Sequence, residues 1–135
     1  MATIRVSSRR VDLGDNTLSQ AVLKDYGETL TTANSSTAYT VDLTGGNVFK
    51  ITMTGNCTFT FSNPPASGTA GSFTLVLIQD GTGSRTATWP AAVKWASGTA
   101  PTLTTTATTG TDILTFMTMD GGTTWYGFAA GIGMA

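Results

Sequence analysis

The chain has 135 residues, of which 11% are charged, with no His, one Cys and a formal net charge of −1. That excludes His-based triads, His/Cys metal sites and an intramolecular disulfide, and leaves no positive field to draw the chain to nucleic-acid phosphates. No apolar run approaches the ~20 residues that cross a bilayer, and the start MATIRVSSRR lacks the apolar region of a secretory signal, so no membrane insertion is expected.

With so few charges and a positive mean hydropathy, much of the surface has to be Thr, Ser, Gly and apolar side chains. Such a surface associates unless it is covered, so the composition favours an oligomer; a Thr-rich sheet that is simply soluble is the plainer alternative.

Residues 1–36 form a charged N-terminal arm. Arg5, Arg9, Arg10, Asp12, Asp15, Lys24, Asp25 and Glu28 all precede residue 30. One short helix is predicted over residues 16–27. Asp15 or Asn16 caps it, Leu18, Ala21, Val22 and Tyr26 recur at spacings of three and four, and Gly27 ends it. Two to three turns are marginal alone in water, so this element needs a surface to pack on, on its own domain or on a neighbour.

Residues 37–135 read as a β domain. Alternation runs through Tyr39 to Thr44, then Asn47 to Thr54, with Phe49, Ile51 and Met53 on one face. Cys57, Phe59 and Phe61 alternate with Thr58, Thr60 and Ser62, which makes Cys57 a buried, inert thiol rather than a nucleophile. Gly71 to Gln79 sets Phe73, Leu75 and Leu77 against Ser72, Thr74, Val76 and Ile78. Val76 and Ile78 are apolar where a polar face is due, so this strand is expected to be covered on both sides, by the second half of the domain or by a partner chain, and the two residues are candidate interface positions. A short run at Thr86 to Trp89, a Thr/Ala/Gly stretch from Ser97 to Gly110, and runs at Asp112 to Met119 and Thr123 to Phe128 complete the chain. Gly, Asn and Asp between the runs mark turns. No solenoid-period repeat is visible. The pattern predicts an all-β fold, an antiparallel β-sandwich or jelly-roll-like barrel with a short N-terminal arm or helix.

Beyond residue 30 the carboxylates are Asp42, Asp80, Asp112 and Asp120. Turn positions account for Asp80 and Asp120, which argues against a paired acid–base site. No catalytic residue, cofactor or metal ligand is assigned. Thr118-Met119-Asp120-Gly121-Gly122-Thr123-Thr124-Trp125 resembles the Asp-box of sialidases, S/T-x-D-x-G-x-T-W, which there stabilises the fold away from the chemistry. It marks Asp120, Gly122, Thr124 and Trp125 as a structural hairpin motif. Trp89, Trp95, Trp125 and Tyr126 are either a sugar-stacking platform or part of a core or interface, and the second reading is favoured.

Three stretches together resemble a β domain of tailed bacteriophages. They are Asn47 to Asn56, Phe61 to Gly68 running on into Gly71 to Leu75, and a later set comprising Thr88 to Trp95, Gly98 to Leu103, Asp112 to Phe116 and Asp120 to Phe128. The resemblance covers about residues 40–135, and the order of its motifs makes it specific. It implies a non-enzymatic, usually trimeric virion part of the kind found at tail fibre ends and in small capsid decoration proteins. The expected function is therefore a homotrimeric decoration, or cement, protein on the capsid surface, binding the major capsid protein through Arg9, Arg10, Asp12 and Asp15. A chain that starts at Met1 with only a short arm suits this reading better than a shafted fibre. The alternative is a tail fibre tip that recognises a host glycan or surface protein, and an enzyme acting on surface polysaccharide comes third.

Overall fold

A computed structural model describes residues 17–134. Nine strands form two sheets: β1 (Leu30–Asn34), β2 (Ala38–Asp42), β3 (Val48–Met53), β4 (Cys57–Ser62), β5 (Gly71–Gln79), β6 (Ala87–Thr88), β7 (Val93–Lys94), β8 (Thr111–Thr118) and β9 (Trp125–Met134). The large sheet has the order β1-β3-β5-β8-β9-β7, and the small sheet the order β2-β4-β6. The all-β sandwich is what the alternation predicts, because residues two apart share a face and one face of each sheet can be buried.

The strand directions differ from the antiparallel expectation. Through β6 the chain changes sheet at every strand, so each strand lies parallel to the one two before it. β1 pairs parallel with β3, β3 with β5, β2 with β4, and β4 with β6. A parallel pair needs a crossover, and here a strand of the opposite sheet supplies it instead of a helix. Only the pairs β5–β8 and β8–β9 are antiparallel, while β7 lies parallel to β9. Period-two alternation reports which face is buried and carries no information about strand direction. The winding resembles a coil whose turns have unequal lengths: Leu30 pairs with Val48 and Val48 with Thr74, while Ala38 pairs with Thr58 and Thr58 with Thr88. Unequal turns leave no fixed period to detect in the sequence.

The core lies between the sheets. Phe49, Ile51, Met53, Phe73, Leu75, Leu77, Leu114, Phe116 and Trp125 face inward from the large sheet and meet Val41, Cys57 and Phe59 from the small one. Its centre is aromatic. Phe73 stacks on Phe116 at 4.9 Å, and the edge of Phe61 meets Phe73, Phe116 and Trp125 at 4.9, 5.0 and 5.3 Å. These are the offset and edge-on arrangements that ring quadrupoles favour. Burial among these groups pushes the Cys57 thiol above its ordinary pKa, as an inert core cysteine requires.

Two N-terminal expectations change. No helix forms over residues 17–27, the described part of the expected 16–27 segment; the chain is extended and exposed, with left-handed backbone at Gln20 (φ 55) and Asp25 (φ 53). A short helix with no surface under its apolar side chains does not repay its nucleation cost. The β domain also begins earlier than residue 37, because Leu30–Asn34 forms the edge strand β1 beside β3. Its sequence, Leu-Thr-Thr-Ala-Asn, buries little and gives a weak strand signal.

Leu75 is wholly buried at mid-strand in β5, whereas Thr40 sits on the solvent face of β2 and bonds only the Thr60 hydroxyl. Leu75→Ala is expected to lower unfolding stability by about 3 kcal/mol, and Thr40→Ala by no more than about 0.5 kcal/mol, both measured by chemical denaturation.

Candidate functional site

The sandwich has two outer faces with opposite chemistry. The small sheet shows solvent Thr40, Thr58, Thr60 and Thr88, with a hydroxyl contact of 2.8 Å between Thr40 and Thr60. The outer face of the large sheet is more apolar. Register places Leu30, Val48, Thr74, Thr115 and Phe128 in one row and Thr32, Lys50, Val76, Ile113 and Gly131 in the next. Flanking rows add Ile78 beside Thr52 and Thr111, and Met117 between Ser72 and Tyr126. The small sheet packs on the opposite side, so Val76 and Ile78 are half-buried by their neighbours without a second layer of the described chain above them. Leu30, Phe128 and Tyr126 are 56, 52 and 42% exposed. The charges on this face are Lys50 and, at its rim on β7, Lys94. Leu30, Val48, Val76, Ile78, Ile113, Met117, Tyr126 and Phe128 thus form an apolar patch set among Thr side chains, a candidate interaction surface.

Each carboxylate of the β domain holds a loop. The Asp42 carboxylate accepts from Thr44 N, Thr44 Oγ1 and Asn63 Nδ2, which caps the 3-10 turn at Leu43–Gly45; the Asn63 bond is the main cause holding its pKa below the usual range. Asp80 accepts from Thr82 N and Gly83 N and pairs with Arg85 at 2.8 Å, and the guanidinium bond brings its pKa down to about 2. Beside it, buried Gln79 bonds both the N–H and the carbonyl of Arg85, closing the loop after β5. Asp112 faces the core and is 1% exposed, accepting from Thr104 N, Thr104 Oγ1 and Gly133 N at 2.8, 2.8 and 3.0 Å. It ties the 95–110 loop to the end of β9. Sequence reasoning passed over this role, although the alternation of β8 puts Asp112 on the same face as Leu114 and Phe116, where a carboxylate has to be satisfied. Among the described residues no cluster of His, Cys, Asp and Glu could hold a metal ion.

The Asp-box forms the turn between β8 and β9. Asp120 Oδ1 accepts from Thr124 N at 2.9 Å and from Thr118 Oγ1 at 3.0 Å, and Thr118 Oγ1 in turn accepts from Gly122 N. The Thr124 N–H comes first in lowering the Asp120 pKa. Gly122 has φ +81, and a Cβ there would meet Pro64 Cγ at 2.9 Å. Trp125 follows, buried in the core. Of the four aromatic candidates for a sugar platform, the three Trp join the core, as the favoured reading expects: Trp89 meets Trp95 edge-on at 5.4 Å and both reach Phe116 at 5.5 Å. Trp125 is internal, Trp89 stacks on Phe59 at 5.2 Å, Tyr126 lies on the outer face of the large sheet, and Trp95 borders a shallow apolar cavity of about 310 Å³ with Pro101 and Phe128. Arg9, Arg10, Asp12 and Asp15 lie outside the described residues.

Asp112→Ala strips three donors of a buried acceptor and is expected to cost about 2–4 kcal/mol by chemical denaturation. Gly122→Ala is expected to cost about 1–2 kcal/mol through its left-handed backbone. The acid response follows from the carboxylates. Folded-state values below the unfolded ones mean that their stabilisation is complete above the ordinary Asp range and is lost as pH falls toward the folded values, about 2 for Asp80. With no His in the chain, the melting temperature should be flat between about pH 5 and 8 and fall below about pH 4.

The model of one protein family, described as Putative phage tail fibre C-terminal domain, matches residues 30–124. The match opens at the first residue of β1 and closes at the residue before β9, so it takes in the winding, the core and the Asp-box turn. Searches of curated proteins and of solved structures return no match. With most of the chain and eight of its nine strands inside that span, the chain belongs to the phage tail fibre C-terminal domain family and is a structural component of a tailed-phage virion.

Proposed function

We propose that this chain is a non-catalytic, homotrimeric module at the end of a tail fibre, assembled through the outer face of its large sheet. The observation that carries this reading is the contrast between the two outer faces. A sheet built only to be solvated has the Thr surface of the small sheet, whereas Val76, Ile78, Ile113, Met117 and Phe128 form a surface that gains by leaving water. The family is described by the tail fibre, which supports that location over the capsid surface expected from the sequence. The four carboxylates of the β domain are engaged in loop hydrogen bonds, which supports a framework role over an acid–base one. Attachment to the rest of the particle is assigned, on charge alone, to Arg9, Arg10, Asp12 and Asp15.

Two measurements test this. Sedimentation velocity is expected to give a trimer, with Val76→Glu/Ile78→Glu giving a folded monomer; a monomeric parent chain would sink the assembly reading. Gold-labelled antibody on intact particles is expected to mark the fibre ends. Label distributed over the head would instead support the decoration protein.

A further inference from the structure

Two surfaces of this chain lack a partner among the described residues. One is the outer face of the large sheet. The other is the arm, residues 17–29, where Leu18, Val22, Leu23 and Tyr26 are 62, 93, 64 and 67% exposed. No main-chain hydrogen bond between described residues anchors 17–28 to the β domain. We propose that the arm of one copy lies across the outer face of the large sheet of a neighbouring copy, seating Leu18, Val22 and Tyr26 against Val76, Ile113 and Phe128. This rests on the self-association proposed above and adds the segment that completes it.

Area argues for the arm. Five strands each about 4.8 Å wide and four rows each about 6.8 Å deep make a face of ~24 by ~27 Å, or about 650 Å². A stable interface takes about 800 Å² from each partner, so face against face falls short. The arm adds its own apolar side chains, and at up to ~3.3 Å per residue it has the reach to cross the face.

Charge argues for the same pairing. The face carries Lys50 and Lys94 and no carboxylate, while residues 17–29 carry Asp25 and Glu28 against one cation, Lys24. Opposite potentials set register and orientation across an interface. The left-handed residues Gln20 and Asp25 break the arm's strand geometry, so it docks by side chains and does not extend a sheet edge. The arm also runs directly into β1, the edge of the same large sheet, and so leaves each copy beside the face to be covered.

Photo-crosslinking of the full chain tests this, with p-benzoylphenylalanine in place of Tyr26, an exposed arm position. Irradiation is expected to give covalent dimers and trimers on a denaturing gel, with the linked peptide carrying Val76 or Ile113. Links confined to one chain, or made to the Thr40 and Thr60 face, would overturn the proposal. Sedimentation of the same sample before irradiation separates the two readings: a trimer without arm-to-face links overturns the arm alone, and a monomer overturns both. In a second measurement, Lys50→Glu should weaken association roughly two- to five-fold, and adding Asp25→Lys should restore it. An unchanged dissociation constant for Lys50→Glu would count against the docking.

Discussion

Strand β5 is paired on both sides, parallel to β3 from Thr74 to Gln79 and antiparallel to β8 from Gly71 to Ile78, and it sends Phe73, Leu75 and Leu77 into the core. The first half of the chain winds between the sheets and needs a finished edge on which to end. The second half is a meander and needs an edge from which to start. β5 serves both needs, and the ring of Phe73 lies where both halves meet, stacked on Phe116 and edge-on to Phe49 and Phe61. Without that strand the wound strands would expose an apolar edge, and β8 and β9 would be an isolated hairpin, which has little stability in water.

A fold wound in this way has long connections, and it secures them with a small set of polar side chains. Asp42, Asp80, Asp112 and Asp120 each bond main-chain N–H groups across a loop or turn. Gln79 does the same with an amide, bonding the backbone of Arg85 in the way a neighbouring strand would. Donors stabilise the ionised carboxylate and depress three of the pKa values, led by the Asn63 amide at Asp42, the Arg85 guanidinium at Asp80 and the Thr124 N–H at Asp120. The scarcity of charge in the β domain is thus compatible with well-held loops, because its carboxylates are used internally.

The same economy leaves the surface to hydroxyl and apolar groups, and the two sheets divide them. Threonine on the small sheet keeps a strand-forming, β-branched side chain while offering a hydroxyl to water. On the large sheet Thr shares the corresponding positions with aliphatic and aromatic side chains such as Val76, Ile78, Ile113 and Phe128. For a part of a virion, which acts as an assembled particle, one solvated face and one covered face are a coherent division. The proposed arm exchange would let each copy contribute to the cover of the next, as in assemblies where a chain segment is traded between protomers.

The sequence by itself determined the fold class, the core and the hairpin motif. Period-two alternation identified Phe49, Ile51, Met53, Phe73, Leu75 and Leu77 as inward, because side-chain direction in a strand is a local property. The Asp-box turn was legible for the same reason, its bonds spanning only Thr118 to Thr124. The motif order from Asn47 to Phe128 was legible as a resemblance to a tailed-phage domain. Strand direction, the entry of Leu30–Asn34 into the sheet and the role of Asp112 were decided only in three dimensions. Parallel pairing depends on where a crossover returns, which no local window contains. Asp112 meets Thr104 and Gly133 only because the fold brings loop and strand end together. The predicted helix at residues 16–27 failed on the same ground: its pattern was local, but the surface that would have stabilised it is missing from the described chain.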